Sequence, residues 1–464
     1  MLSVFDILGG GLCVAVLWLF FSARIKKYNP IHKRLYINAF KFKMICSILF
    51  ALITAYYYKG GDTEMFLFAV RDMKTAIQEK QLSLGDLLFM EKVSDTHPLA
   101  YYFQQDISKY YVIGFMQHGA NFIVPKLGIT PYLLFFNSYL AMCFVFSFFA
   151  LSGAIRLYKL FLNYFPKMHR EIAIATLFLP SACYWSSGFL KDSICFGAVG
   201  FLLYGLFMLL IKREKQLASL FWVVISIYLL YTAKIYILLA LIPGIGFWLF
   251  GELSFRVKKG SLRTFVTIIS IVVAGIGAFM FINYLTSNEA LSKFSMENIL
   301  ESSEYSRKIL DRRAGEGSSF EINTSNPFLL TLNGLVATFF RPFPWEVSSI
   351  IVLFSAIESL IFLALMIFLF YKKGFAAPFN KIFKTPILTL SFSFAIIFAV
   401  SVGISTTNFG SLSRYKIPCL SFYLMFVLGA YHLTGLSYPG WLQRILDFAT
   451  GKKKVTHVRH SRVY

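Results

Sequence analysis

Long apolar runs, separated by short basic clusters, dominate this chain of 464 residues. A helix needs roughly 20 mostly apolar residues to cross the hydrocarbon core of a bilayer. Hydrophobic residues make up 57% of the chain and charged residues only 15%, whereas soluble domains carry about 25% charged residues. The sequence therefore excludes a water-soluble fold and predicts an all-α integral membrane protein.

We predict a polytopic helical bundle of eleven transmembrane helices, which forms a single membrane domain over residues 1–464. Interfacial amphipathic helices are expected on its outer side. The predicted spans are residues 4–23, 44–58, 131–155, 171–189, 192–211, 217–233, 235–253, 264–285, 347–371, 385–404 and 417–436.

Basic residues determine the predicted orientation. Of the 45 Lys and Arg residues, 28 lie in alternate connecting segments, which the positive-inside rule places in the cytoplasm. The N-terminus is then outside and the C-terminus is cytoplasmic. The net charge of +22 thus reflects topology, and we expect no nucleic acid partner. The basic segments are 24–43, 156–170, 212–215, 254–263, 372–384 and the tail 437–464.

Two segments predicted to lie on the outer side are long, residues 59–130 and 286–346, and they contain 16 of the 23 acidic residues. We expect any outward-facing site to form mainly from them. Residues 110–127 are interpreted as an amphipathic helix along the outer leaflet, or alternatively as a short helix packed on the protein. The stretch 312–319 belongs either to a lid or to a disordered surface loop.

Few side chains within the predicted spans suggest metal chemistry. All six cysteines fall within spans, as expected of small buried side chains rather than disulfides or metal ligands. We predict no metal site and no cofactor, and no residue pattern indicates a divalent metal. Glu358 also lies within a span and is expected to face the bundle interior, because a carboxylate exposed to lipid is costly.

Two carboxylates follow the second predicted span directly. Asp62 and Glu64 come after Gly60 and Gly61, which permit a sharp turn where the helix ends. This position places Asp62 at the membrane surface as a candidate catalytic base, with Glu64 as the alternative. A structural interpretation makes Asp62 the N-cap of the next helix, with Glu64 in its first turn. Asp192 is likewise expected to cap the helix that follows it.

Cations in predicted outer turns are the most informative feature, because the positive-inside rule disfavours them there. They fit an anionic ligand such as a lipid phosphate or diphosphate. Alternatively, they form structural salt bridges with Asp62, Glu64, Asp192 and Glu346. The predicted phosphate-binding cations are Lys191, Lys234, Arg341, Arg414 and Lys416.

These features together resemble the GT-C type of membrane glycosyltransferases and the related O-antigen and exopolysaccharide polymerases. The chain shares with them many spans, an acidic residue at the start of an outer loop, and outer Arg and Lys residues. It departs from the usual GT-C pattern in that the acid follows the second span. Three segments are also similar to those of bacterial multi-pass proteins met among surface-polysaccharide genes: LFLPSACYWSSGFLKDS (177–193), FRPFPWE (340–346) and SLSRYKIP (411–418).

The resemblance implies transfer of sugar units from a polyprenyl-phosphate-linked donor at the outer face of a bacterial cytoplasmic (inner) membrane. The expected partners are a polyprenyl-linked saccharide, membrane lipid and other polysaccharide-assembly proteins. Asp62 would deprotonate the acceptor, and the cations would hold the phosphates. The alternatives are a polysaccharide or lipid transporter (flippase) and a non-catalytic membrane subunit. The aromatic residues proposed to stack on sugar rings are Tyr57, Tyr58, Tyr184 and Trp185.

The predicted topology can be tested with reporter fusions. Fusions at residues 90 and 310 should both behave as periplasmic, because both positions lie in outer segments under the positive-inside assignment. A fusion after residue 373 should behave as cytoplasmic and serves as the control. A cytoplasmic signal from either of the first two fusions would contradict the predicted topology.

Overall fold

The computed structural model describes residues 3–58, 61–90, 92–94, 97–104, 114–256, 326–347, 349–406 and 408–444. Within these ranges the structure is helical and contains no strand. The helices are α1 (Val4–Ile25), α2 (Pro30–Ile53, continued by a π-helical turn Thr54–Tyr58), α3 (Asp62–Gln78), α4 (Leu84–Phe89), α5 (Pro98–Gln104), α6 (Gly119–Leu134), α7 (Tyr139–Tyr164), α8 (His169–Leu177), α9 (Pro180–Trp185), α10 (Lys191–Leu206, continued by Phe207–Lys212), α11 (Gln216–Arg256), α12 (Pro327–Phe340), α13 (Ile350–Lys373), α14 (Ala376–Phe383), α15 (Pro386–Ser405), α16 (Phe409–Tyr415) and α17 (Ile417–Leu433).

The predicted all-helical membrane architecture is confirmed in its general form, but the eleven spans are not. Among the described residues, seven helical segments are long and apolar enough to cross a membrane. An eighth arises if α16 and α17, bent by 63° relative to each other, form one span. The predicted span 264–285 and the segments 286–325 and 445–464 lie outside the described residues. The seven segments are Val4–Ile25, Pro30–Tyr58, Tyr139–Tyr164, Lys191–Lys212, Gln216–Leu253, Val352–Lys373 and Pro386–Ser405.

Helices α7 and α10 run parallel to each other and define the two ends of the bundle. Near the start of α7, Phe146 packs against Phe189, which directly precedes α10, with ring centroids 5.0 Å apart. At the other end, Tyr164 packs against Phe207 at 5.9 Å. We call the first the Asp192 end, because Asp192 lies in the first turn of α10. The opposite end, towards which α7 carries Arg156 and Lys159, is the Arg156 end.

Helix α11 reverses direction at Lys234, whose backbone is not helical (φ −153°, ψ 78°). Lys234 forms an ion pair with Asp192 at the Asp192 end. Trp222 precedes Lys234 in the sequence and Trp248 follows it, and both contact α7 at the Arg156 end. The ring of Trp222 lies 5.4 Å from the guanidinium carbon of Arg156, and Nε1 of Trp248 donates a hydrogen bond to the last residue of α7 at 2.9 Å. The two halves of α11 therefore form a hairpin, in agreement with the two separate spans predicted for residues 217–233 and 235–253.

The predicted span 171–189 is not one continuous helix. It consists of α8 and α9, which are interrupted at Phe178 and Leu179 before Pro180 starts the second helix. Phe165, just before α8, packs on His432, whereas Phe189 lies at the Asp192 end. The chain thus crosses the bundle in two short pieces. Such an interruption is tolerated at membrane depth because protein, not lipid, surrounds it.

The segment 24–43, predicted to connect the first two spans, is largely helical. Helix α1 ends at Ile25 and α2 already begins at Pro30. The side chain of Asn29 caps α2 by accepting a hydrogen bond from the His32 amide at 2.9 Å, and Pro30 occupies the first turn. This correction places Lys43 inside α2, where it is buried.

The described part of residues 110–127 favours a packed helix over an interfacial one. Residues 119–127 belong to α6, in which Phe122 and Val124 are fully buried. Lys126 is also buried, and its Nζ donates to the carbonyl of Met90 at 2.9 Å. The polar residues of α6 that suggest amphipathicity in the sequence, such as Asn121 and Lys126, are thus directed toward other parts of the protein.

Close packing of α7 against α10 depends on glycines. A Cβ atom added at Gly200 would overlap the backbone of Gly153, and one added at Gly197 would lie 2.6 Å from the ring of Phe149. Small residues allow two membrane helices to approach in this way. Because α7 and α10 fix both ends of the bundle, this contact also positions the charged residues described below.

Gly200→Ala should lower the melting temperature of the purified protein in detergent. Overpacking a close contact costs about 1–3 kcal/mol, and both backbones here are helical and cannot move aside independently. Gly11→Ala on α1 is the matched control, since a Cβ there meets open space. Equal melting temperatures for the two variants would show that the glycine contact is not required.

Candidate functional site

A buried carboxylate, Asp192, organises the charged residues at the Asp192 end. Its Oδ1 accepts a hydrogen bond from Nζ of Lys234 at 2.5 Å, and its Oδ2 accepts one from Nε of Arg414 at 2.6 Å. Only 2% of the Asp192 side chain and 6% of the Lys234 side chain are exposed. Asp192 therefore joins the α11 turn and α16 to the start of α10.

The predicted capping role of Asp192 is wrong. The N-cap of α10 is Leu190, which makes no side-chain capping bond, and Asp192 lies in the first helical turn. A negative charge there still interacts favourably with the helix dipole. Both carboxylate oxygens bind cations from other helices, so the role of Asp192 is tertiary rather than local.

Asp62 extends this network toward solvent. Its Oδ2 accepts a hydrogen bond from Nη1 of Arg414 at 2.8 Å. The Asp62 side chain is 38% exposed and the Arg414 side chain 15%. Asp62 is the first residue of α3, and it follows Gly61, whose positive φ of 99° produces the sharp turn that the sequence suggests. Gly61, not Asp62, is the N-cap, so the carboxylate of Asp62 is directed to Arg414 rather than to its own helix.

Lys191 completes the group. Its Nζ donates to Oδ1 of Asn121 on α6 at 2.7 Å, and it interacts electrostatically with both Asp62 and Asp192. We call Asp62, Lys191, Asp192, Lys234 and Arg414 the Asp192 network. It contains three cations and two carboxylates, a net charge of +1.

Two cations of the Asp192 network keep unused hydrogen-bond donors. Within the described part of the chain, Nη2 of Arg414 has no hydrogen-bond partner, and Nζ of Lys191 donates to Asn121 alone. A guanidinium has five N–H donors and an ammonium three. The network can therefore accept an additional anion next to Asp62, whereas Lys234 is enclosed by Asp192 and the ring of Tyr415.

Arg341 belongs to a second, local cluster. Its Nε donates to Glu346 at 2.9 and 3.1 Å, its Nη2 also contacts that carboxylate, and its guanidinium lies 5.4 Å from the ring of Phe409. Lys416, which is buried, donates from Nζ to the Arg341 carbonyl at 3.0 Å and to Oγ of Ser359 at 2.9 Å. The proposed phosphate-binding roles of Arg341 and Lys416 stay predictions.

The salt-bridge alternative holds for three of the five predicted phosphate-binding cations. Lys234 pairs with Asp192, Arg414 with Asp62 and Asp192, and Arg341 with Glu346. Pairing does not remove the capacity for an anionic ligand at Arg414 and Lys191, because both retain free donors among the described residues.

The other predicted site residues differ in accessibility. Glu64 is half-buried in the first turn of α3. Tyr57 and Tyr58 are 61% and 46% exposed at the end of α2, before the turn that leads to Asp62. Tyr184 and Trp185 are half-buried against Phe50, at centroid distances of 5.6 and 6.4 Å. Tyr57 and Tyr58 are thus better placed than the second pair to contact a ligand from outside.

Lys43 is a buried cation that sequence reasoning missed. It lies within α2, is 3% exposed, and its Nζ donates to the Cys183 carbonyl at 3.0 Å and to Oγ of Ser186 at 2.5 Å. Its position in a run of basic residues favoured a cytoplasmic loop. Glu358 is buried as predicted, and its Oε1 has no hydrogen-bond partner within the described residues. All six cysteines are buried, as predicted.

The comparisons with known proteins add no family assignment. No family model matches the chain, and no curated protein and no solved structure is significantly similar to it.

Asp192→Asn should destabilise the protein much more than Asp62→Asn. Removing one partner of a buried ion pair costs about 3–5 kcal/mol, and here two cations would lose their carboxylate. An exposed pair such as Asp62 with Arg414 contributes about 0–1 kcal/mol. Thermal unfolding in detergent measures both variants. Equal losses would contradict the division into a buried structural carboxylate and an exposed one.

Proposed function

We propose that this protein is a membrane glycosyltransferase or polysaccharide polymerase that acts on a polyprenyl-phosphate-linked donor. The observation that carries this proposal is the position of Asp62, a partly exposed carboxylate that contacts Arg414 and lies near Lys191. A proton acceptor and unused cationic donors thereby share one site at one end of a membrane bundle. Sugar transfer from a lipid phosphate requires this combination.

The site lies at the outer face of the membrane in this proposal. Lys and Arg side chains are concentrated at the Arg156 end, including Arg24, Lys159, Lys212 and Lys372. The positive-inside rule places that end in the cytoplasm. The Asp192 network then faces outward, where the sugar of a translocated lipid-linked donor is found.

Each residue has a defined role in the proposed reaction. The acceptor hydroxyl oxygen attacks the anomeric carbon of the donor sugar and forms the new glycosidic bond. The bond from that carbon to the phosphate oxygen breaks, and its electron pair stays on the phosphate. Asp62 takes the hydroxyl proton, while Lys191 and Nη2 of Arg414 stabilise the leaving phosphate. Tyr57 and Tyr58 provide exposed aromatic surface beside the site.

The buried pair of Asp192 and Lys234 has a positioning role. Asp192 accepts a hydrogen bond from Nε of Arg414, and Asp62 accepts one from Nη1, so two carboxylates fix the orientation of the guanidinium. A preorganised cation stabilises developing phosphate charge better than a mobile one, since it pays no reorganisation cost during reaction.

A transporter is the second candidate, and specific observations favour it. Lys43, Lys416 and Glu358 are ionisable and buried inside the bundle. The helices are also interrupted between α8 and α9 and bent between α16 and α17. Buried ionisable residues and broken helices are typical of substrate and ion pathways.

Asp62→Asn tests the proposed catalysis in a strain that lacks the native copy. We expect normal amounts of protein in the membrane but loss of polymer or glycan transfer by at least about 100-fold, because the general base is gone while the shape is kept. Lipid-linked intermediates should accumulate, as measured by mass spectrometry of extracted lipids. Glu64→Gln, in the same helical turn, is the matched control and should be milder.

The same strain separates the two candidates. A transferase that has lost its base leaves its lipid-linked substrate on the outer leaflet, where an impermeant sugar-modifying reagent reaches it. A transporter defect leaves that substrate inside and protected. Full activity of Asp62→Asn, or a protected intermediate, would overturn the transferase; loss of transport on Glu358→Gln would then support the transporter.

A further inference from the structure

The Arg156 end carries a group of cations that no carboxylate neutralises within the described residues. Two come from the end of α1 and the following turn, two from α7, and one from the turn before α11. None forms an ion pair with a described acidic residue. We call this group the α7 cation cluster; its members are Arg24, Lys27, Arg156, Lys159 and Lys215.

Aromatic side chains hold the two central cations in place. The guanidinium carbon of Arg156 lies 3.9 Å from the ring centroid of Phe201 and 5.4 Å from that of Trp222. Nζ of Lys159 donates to the hydroxyl of Tyr28 at 2.6 Å. Both cations are half-buried between helices rather than extended into solvent. Side chains fixed in this way are less free to move apart than mobile surface lysines.

The members of the cluster repel one another. Arg24 lies within electrostatic range of Arg156, and Lys27, Lys215 and Arg156 lie within range of Lys159. Glu214 is an acidic residue at this end, but it forms no ion pair with the described cations. Packing several like charges together is unfavourable, so an anion between them would relieve a cost that the protein alone leaves uncompensated.

We infer that the α7 cation cluster binds the headgroup of an anionic phospholipid. Exposed apolar side chains flank the cluster: Phe20 under Arg24 is 49% exposed, and Phe221 beside Trp222 is 57% exposed. Cations with apolar surface on either side match a phosphate headgroup with its acyl chains, whereas a soluble anion would not use that surface. Basic pockets between helices on the cytoplasmic side bind such headgroups in other membrane proteins.

Five cations that form no ion pair with a described carboxylate favour a headgroup with two phosphates. A single phosphodiester would leave most of the positive charge uncompensated, whereas cardiolipin carries two phosphates on one headgroup. The inference is independent of the proposed transferase, since the cluster lies at the opposite end of the bundle from the Asp192 network.

Native mass spectrometry of the delipidated full-length protein tests this site with three probes: cardiolipin, phosphatidylcholine and free glycerol phosphate. We expect retention of cardiolipin in preference to the other two. Lys27→Gln combined with Lys159→Gln should weaken retention about 25-fold, because each cation near a lipid surface contributes roughly a factor of five. Lys372→Gln is the matched control, since it lies at the same end over the rings of Phe368 and Tyr371 but on α13.

The outcomes separate lipid from soluble anion. Equal retention of phosphatidylcholine, or equal weakening by Lys372→Gln, would overturn the site. Retention of glycerol phosphate as strong as that of cardiolipin would show a soluble-anion site and overturn the lipid assignment. Because a double variant could unfold, its melting temperature without lipid is measured in parallel; Lys27→Gln alone, at an exposed position, then gives the binding effect.

Discussion

The ion pairs of Asp192 hold the Asp192 end of the bundle together. A carboxylate with 2% exposure can stay charged inside a protein only if cations surround it, and Lys234 and Arg414 do so from two other helical segments. The hairpin turn of α11, the bend between α16 and α17 and the start of α10 all meet at this residue. The ion pairs of Asp192 thus hold these three backbone segments next to one another.

In this arrangement some charged side chains are buried in ion pairs, whereas others stay available to a ligand. Asp192 and Lys234 are buried and pair with each other. Arg414 connects this buried pair to the partly exposed Asp62, because its Nε donates to Asp192 and its Nη1 donates to Asp62. Asp62 and the unused donors of Arg414 and Lys191 are therefore held in position and are still available to bind a ligand. Chemistry at a membrane surface benefits from such preorganisation, because water otherwise competes for every mobile charge.

The sequence predicts some local features at the Asp192 end correctly. The turn at Gly61 and the pairing of Asp62 with a cation follow from local residue types. The two partners of Asp192 could not be identified, because they lie 42 and 222 residues away in the chain and leave no periodic signal. Lys43 was misplaced for a related reason. A lysine in a basic run resembles a loop residue in the sequence, whereas in the structure Cys183 on α9 and Ser186 directly after it accept its hydrogen bonds. The interruption at Leu179 could not be predicted, because an apolar stretch of sufficient length predicts a span whether or not its helix is continuous.

The most direct measurement is a structure of the protein determined with a bound polyprenyl diphosphate. We expect the diphosphate at the Asp192 end, with its oxygens within hydrogen-bond distance of Lys191 Nζ and Arg414 Nη2 and with Asp62 facing the position of the first sugar. A diphosphate bound instead beside Arg341 or on another face of the bundle, with the Asp192 network unchanged and unoccupied, would contradict the proposed site.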